Sequence, residues 1–247
     1  MNIETSGLVI KEQNIGESDR LITVLTADHG LIRAFVKRGK SIKSNMLSST
    51  QLLSYSDFIF YQGRNSYTVT SAMAKNIFFD LRNDIDAMST AFYLAELFGE
   101  MAPEGADSEP LLKLLLNSLY LLSEHKRDFR LIKSVAELRG LADTGYLPNL
   151  VACQECGTYE TPLMYFNAKD GTLYCQEHGN SRLGMPLSLS AVTAMRYIIY
   201  SDAKKIFDFK LTDDAMKELN KATETYALVQ TGRSYKTLDF LKSLAGI

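Results

Sequence analysis

The sequence predicts an α+β protein in two parts, and three features of its pattern carry that prediction. The first 80 residues hold five short β-like runs separated by turn residues. From Asn83 the apolar period lengthens from two towards 3.6 residues, which is the spacing of an amphipathic helix. Residues 146 to 186 then break the helical pattern with a stretch rich in Gly, Pro, Asn and Thr that contains all 3 cysteines of the chain.

The five runs are Gly7 to Gln13, Asp19 to Leu25, Leu31 to Val36, Ser54 to Tyr61 and Ser66 to Ala72. Asp28-His29-Gly30 separates two of them and Gln62-Gly63-Arg64-Asn65 two others, both with the turn chemistry of hairpins. Five short strands in roughly 75 residues suit a small closed barrel, and the OB-fold is the expected one at that size. The change of period sets a domain boundary near residue 80, giving a barrel at 1–80 and a helical domain at 81–247.

In the helical part, Ile85, Met88, Ala91, Phe92, Ala95 and Phe98 share one face of a helix expected to end near Gly99. Ser108 before Glu109-Pro110 has the form of a cap with Pro in the first turn, opening a helix to about Ser123. A third helix runs from about Arg127 to Asp143 and stops at Gly145. Leu163 to Phe166 and Thr172 to Tyr174, flanking Lys169-Asp170-Gly171, read as a hairpin inserted at 146–186. Helical spacing returns at Ser190 to Tyr200, Thr212 to about Gln230 and Lys236 to Leu244.

Composition narrows the class of function. With 46% hydrophobic and 23% charged residues the chain is globular rather than disordered. The start, MNIETSGLVIKE, lacks a positive residue followed by an apolar run, so a cytoplasmic protein is expected. Leu111 to Leu122 is the longest apolar stretch and is interrupted by Lys113 and Asn117; it falls short of the roughly 20 residues that cross a bilayer, so no membrane partner is expected. Net charge is 27 minus 29, or −2, and any attraction to anions must therefore be local.

The cysteines point to a metal. Cys153 and Cys156 form a C-x2-C, and Cys175 and His178 a C-x2-H, with 18 residues between the pairs. Paired knuckles at that separation are the pattern of tetrahedral zinc. Each pair fits one tight turn, and Gly157 and Gly179 follow the two pairs. Four protein ligands leave no open position, so one structural Zn2+ is expected rather than a hydrolytic centre. Two plainer readings are buried apolar cysteines and a redox C-x-x-C, but the latter explains neither Cys175 nor His178. A deaminase signature is missing, because Pro148 lies well before Cys153 instead of next to it.

One segment concentrates positive charge. RAFVKRGKSIK places Arg33, Lys37, Arg38, Lys40 and Lys43 together with no acidic residue, suited to phosphate contacts independent of base sequence. Phe35, Tyr55, Phe60, Tyr61 and Tyr67 lie in or beside the strands, where some could stack bases. The plainer alternatives are a solvated loop and aromatics that fill the barrel. No catalytic constellation is evident: His29 and His125 read as surface residues, Lys169-Asp170-Gly171 as a turn, and no phosphate-binding loop occurs.

The stretch GESDRLITVLTADHGLIRAFVKRGKS resembles the N-terminal barrel of the bacterial DNA repair family RecO. GLADTGYLPNLVACQECG is similar to that family's passage from a helix into its first zinc knuckle, and SYKTLDFLKSL to its closing helix. The resemblance implies an OB-fold, a helical domain with a zinc module, and a recombination mediator without turnover. It further implies binding of single- and double-stranded DNA, annealing of complementary strands, and action with RecR to load the RecA recombinase onto DNA coated by single-strand binding protein. A partner in the acidic C-terminal tail of that coating protein follows as well. By the same resemblance the loop Arg33 to Lys43 is the expected DNA contact, with Arg20 and Arg64 as further candidates. Many members use four cysteines; His178 departs from this but keeps tetrahedral ligation. The competing class is a protein interaction module with incidental DNA binding, favoured by the charge of −2. A zinc nuclease or deaminase is a third reading, lacking an open metal position.

Overall fold

The computed structural model describes residues 1–39, 46–64 and 66–245. They form two compact units, Met1–Glu124 with Thr237–Ile247, and His125–Lys236. Five strands, β1 (Asn2–Ile15), β2 (Asp19–Thr26), β3 (Leu31–Val36), β4 (Ser54–Gln62) and β5 (Tyr67–Ile77), close a barrel in the order β1-β2-β3-β5-β4, with β4 pairing back to β1. All pairs are antiparallel except the short parallel contact of β3 with β5. This is the expected OB-type barrel. The outer strands run longer than their hydrophobic pattern suggests, since Asn2 to Ser6 and Met73 to Ile77 are held by ladder pairing with β4 rather than by alternation.

Inward residues of all five strands build one core: Val9, Ile22, Val24, Ile32, Ala34, Val36, Phe58, Phe60 and Val69, with the Phe58 and Phe60 rings stacked at 5.2 Å. Leu8, Ile10 and Leu25, which alternation would send to solvent, are also buried. The cause is α1 (Ile85–Met101) and α2 (Glu109–Ser123), which pack on β1 and β2, so these strands are apolar on both faces. Gly7 pairs with Thr26 on one side and Ser56 on the other, and a Cβ there would lie 2.5 Å from a Val24 methyl. α1, α2 and, from Thr237 onward, α6 (Lys236–Ala245) fall in the same compact unit as the barrel. Thr237 donates a hydroxyl hydrogen bond to Glu96 of α1.

Two helix ends differ from expectation. α1 continues past Gly99 to Met101 and stops because Ala102, which precedes Pro103, is extended. Gly99 serves packing instead, with Ile10 only 3.1 Å from where its Cβ would stand. Ser108 occupies the N-cap position of α2 but its hydroxyl donates back to Ala106 O rather than capping the helix, and Asp107 Oδ1 accepts from Glu109 N at 2.9 Å.

The β2–β3 hairpin tip is tied to the loop after α1. Leu31 N donates to Pro103 O, Gly105 N to His29 O and Ser108 N to Ala27 O. Gly30 sits at φ +61 with its Cβ position 1.9 Å from Pro103 O. Gly30→Ala is therefore expected to lower stability by about 2–4 kcal/mol through left-handed strain and overpacking. The urea midpoint of the full chain measures this, and an unchanged midpoint would mean that the loop yields freely.

The second unit contains α3 (Phe129–Asp143), α4 (Leu189–Tyr200) and α5 (Asp213–Thr231) around a four-stranded sheet. Its strands are β6 (Asn149–Cys153), β7 (Leu163–Asn167), β8 (Thr172–Cys175) and β9 (Met185–Ser188), in the order β6-β8-β7-β9. The expected hairpin is β7–β8. β6 and β9 flank it unforeseen, being short edge strands without clear alternation, and β9 carries Pro186 as an edge strand can. No described helix is long and apolar enough to cross a membrane.

Candidate metal centre and nucleic-acid face

Cys153 ends β6 and Cys175 ends β8, and these two strands run parallel side by side. Both knuckles therefore leave the sheet at the same edge and in the same direction. In the first, Gly157 N donates to Cys153 O and Cys153 N to Thr158 O, with Gly157 at φ +71. In the second, Gly179 N donates to Cys175 O at 2.7 Å. Gly179 is needed there for space and not for a positive φ, as a Cβ would stand 2.4 Å from the Tyr165 ring. Gln154 N donates to Leu173 O, joining the first knuckle to the strand that carries the second.

The ligand atoms of Cys153, Cys156, Cys175 and His178 all lie within 4.8 Å of one another. Cys156 Sγ is 3.7 Å from Cys175 Sγ, and Cys175 Sγ is 3.2 Å from His178 Nδ1. A tetrahedral zinc with bonds of about 2.3 Å to sulfur sets neighbouring sulfurs about 3.8 Å apart, so the donor set fits the ion. Cys153 and Cys175 are buried while Cys156 and His178 are exposed, an arrangement that anchors one side of the cluster in the unit's core. Burial pushes the Cys153 thiol up, but the backbone N–H groups of Cys175, Cys156 and Glu155 outweigh it and bring the thiol from 9.0 to about 6. Thr158, which the ligand spacing does not single out, places its hydroxyl 3.1 Å from Cys156 Sγ. A Thr two residues after a ligand cysteine is the available signal.

The cationic candidates separate into distinct positions. Arg33 and Lys37 are exposed and share the outer face of β3 and its exit with Phe35, which is half-buried between them. Arg38 is exposed at φ 51, its backbone N–H held by Asp19 Oδ1 at 2.8 Å. Arg64 is exposed in the β4–β5 turn, and the pairing of Ala34 with Tyr67 sets that turn beside the Arg33 end of β3. Lys40 and Lys43 lie outside the described residues.

Arg20 departs from expectation. It is buried, with Nη1 on Glu12 at 3.2 Å and Nη2 on Thr50 at 2.5 Å, so its charge is used inside unit 1. Among the aromatics, Phe60 belongs to the core and Tyr67 packs against it, whereas Tyr61 is exposed and Tyr55 is half-buried with Lys75 over its ring. Lys75 also pairs with Asp57, and that contact, with the Ser6 hydroxyl, holds the Asp57 carboxyl below its ordinary value.

A closed OB-type barrel followed by helices and a Cys3His cluster defines an OB-barrel protein with a candidate structural-metal module. Residues 1–78 match the family model described as Recombination protein O N terminal, and residues 82–239 the one described as Recombination protein O C terminal. The chain belongs to the RecO family of DNA repair proteins. It is 35% identical to the DNA repair protein RecO of Acetivibrio thermocellus over 98% of this chain and 97% of that one. The protein of the same name from Alkaliphilus metalliredigens is 30% identical over 99% of this chain and 100% of that one. That of Dehalococcoides mccartyi is 29% identical over 98% and 96%.

Proposed function

We propose that this chain is a non-enzymatic recombination mediator that works in the cytoplasm at the nucleoid. It binds single- and double-stranded DNA, anneals complementary strands and, with RecR, loads RecA onto DNA coated by single-strand binding protein, whose C-terminal tail it also binds. Residues 1–80 act as the DNA-binding barrel, and residues 81–247 as the helical domain with its module at 146–186. One structural Zn2+ sits on Cys153, Cys156, Cys175 and His178.

The observation that carries the DNA reading is the row Arg33, Phe35, Lys37 on the outer side of β3, extended by Arg38 and Arg64. Cations spaced along a strand face can meet successive phosphates, and the aromatic between them offers a surface for a base. Lys40 and Lys43 continue the same basic stretch in sequence. The zinc reading rests on ligand spacing and on the separation of the donor atoms.

The test is titration of fluorescent single-stranded DNA at several salt concentrations, followed by annealing of coated complementary strands. Replacing Lys37 and Arg38 by Ala is expected to weaken binding for every DNA sequence and to flatten the log–log salt slope by about 1.4, at about 0.7 for each phosphate that is no longer neutralised. An unchanged slope would remove these residues from the DNA face. The second reading, an interaction module, is favoured by the net charge of −2 and would give affinity that salt hardly alters.

A further inference from the structure

The geometry points to Arg196 as the positioning residue that holds the first metal knuckle in its binding conformation. This rests on the proposed metal reading and extends it to a residue outside the ligand set. Arg196 lies on α4, is 7% exposed, and reaches across the edge of the sheet. Its Nε donates to Leu150 O at 2.7 Å, and its Nη2 to Val151 O at 3.0 Å and Tyr159 O at 2.6 Å. The guanidinium also stacks on the Tyr159 ring at 4.1 Å.

These acceptors are significant for their position in the chain. Leu150 and Val151 lie just before Cys153, and Tyr159 lies just after Thr158, whose carbonyl closes the knuckle on Cys153 N. A single planar cation therefore fixes both ends of the loop that carries Cys153 and Cys156. The three carbonyls lie on β6, an edge strand of the sheet, and on the chain just past the knuckle. Nη1 makes no hydrogen bond among the described residues and stands 3.7 Å from the Glu160 carboxylate. A lysine at this position cannot reproduce the contacts, because an ammonium is a point charge without the rigid fork. The second knuckle needs no such clamp, since Gly179 N and His178 N both return to Cys175 O and Cys175 is held in the β7–β8 ladder.

A clamp of this kind acts on metal affinity by reducing the ordering that binding must otherwise impose on the loop. Arg196→Lys and Arg196→Met are both expected to weaken zinc binding at least tenfold in competition with a chromophoric chelator. The cobalt-substituted proteins should also lose intensity in their visible tetrahedral bands. Far-UV circular dichroism of the zinc-saturated variants should match the parent. Affinity equal to the parent in both variants would overturn the inference, and so would full affinity in Arg196→Lys alone, because charge rather than the fork would then suffice. Loss of helical signal in both variants at saturating zinc would also overturn it, since Arg196 would then hold the whole unit. If the parent protein itself takes up no stoichiometric zinc, the metal reading fails first, and that outcome is read before any variant is made.

Discussion

Removing the proposed metal with a chelator, or replacing Cys175 by Ser, is expected to release residues 146–186 from their fold while the barrel stays intact. The strands there are only 4 or 5 residues long, and the sheet's inner side chains are few: Leu150, Met164, Phe166, Leu173 and Leu187 beside the two buried cysteines. So small a core does not hold a module of this size by itself, and a structural zinc contributes about 10–16 kcal/mol in comparable peptides. Some attachment would survive, because Gln230 donates to Ala168 O and Lys169 O, and Tyr226 to Tyr146 O. The loss should therefore be greatest at the two knuckles. Hydrogen exchange measures it: amides at Cys153–Thr158 and Cys175–Gly179 should lose protection while those of β2 keep theirs. Equal protection with and without chelator would rule out a folding role for the metal.

Acid should act in the same direction. Protons would compete with a bound metal for its ligands, so metal retention should fall as pH falls. Without metal the sign is the same at Cys153, whose thiol is brought down from 9.0 to about 6. The stability this contributes is fully present above about 9 and is lost as pH drops through 6.

Lys133→Met should be the most damaging single substitution of a charged residue. The Lys133 side chain is fully buried on α3, where Nζ lies 2.8 Å from Glu137 Oε1, 3.0 Å from Glu224 Oε2 and 2.8 Å from Asn220 Oδ1. Those acceptors match the three N–H donors of an ammonium. Glu137 is equally buried and takes a further hydrogen bond from the Thr223 hydroxyl at 2.7 Å. Removing the cation leaves two carboxylates near one another in the α3–α5 seam, and breaking such a buried set costs about 3–5 kcal/mol. Replacing all three charged residues together, as Lys133→Met, Glu137→Leu and Glu224→Leu, should recover most of the loss, because no buried charge then lacks its partner. Denaturant midpoints of the single and triple variants measure both effects. A triple variant no more stable than the single would show that the network does more than neutralise itself.

Neither Lys133 nor Arg196 stands out in the sequence, and the reason is physical. A charged residue in a helix ordinarily faces water, and nothing local distinguishes one that does not. α3 is buried on almost every side, from Leu131 through Leu138, so the Lys133–Glu137 spacing of four residues becomes a usable sign only once that is known. Arg196 in AVTAMRYIIY is a cation in an otherwise apolar run, which is the nearest thing to a signal. Arg20 shows the converse: the family resemblance makes it a candidate DNA contact, whereas Glu12 of the neighbouring strand and Thr50 enclose it.

Local spacing in the chain is enough to give the OB-type barrel, the succession of helices and the four metal-ligand candidates, while the family comes from the resemblance of longer stretches. The first three rest on short-range order: alternation in strands, a 3.6-residue period in helices, and pairs of donors three residues apart. The remainder follows from packing. Only the folded chain brings β6 and β8 side by side so that distant knuckles share one edge, buries Leu8, Ile10 and Leu25 under α1 and α2, and sets Arg196 against three carbonyls. These outcomes depend on residues far apart in the chain meeting one another, and no local period encodes their burial or their partners.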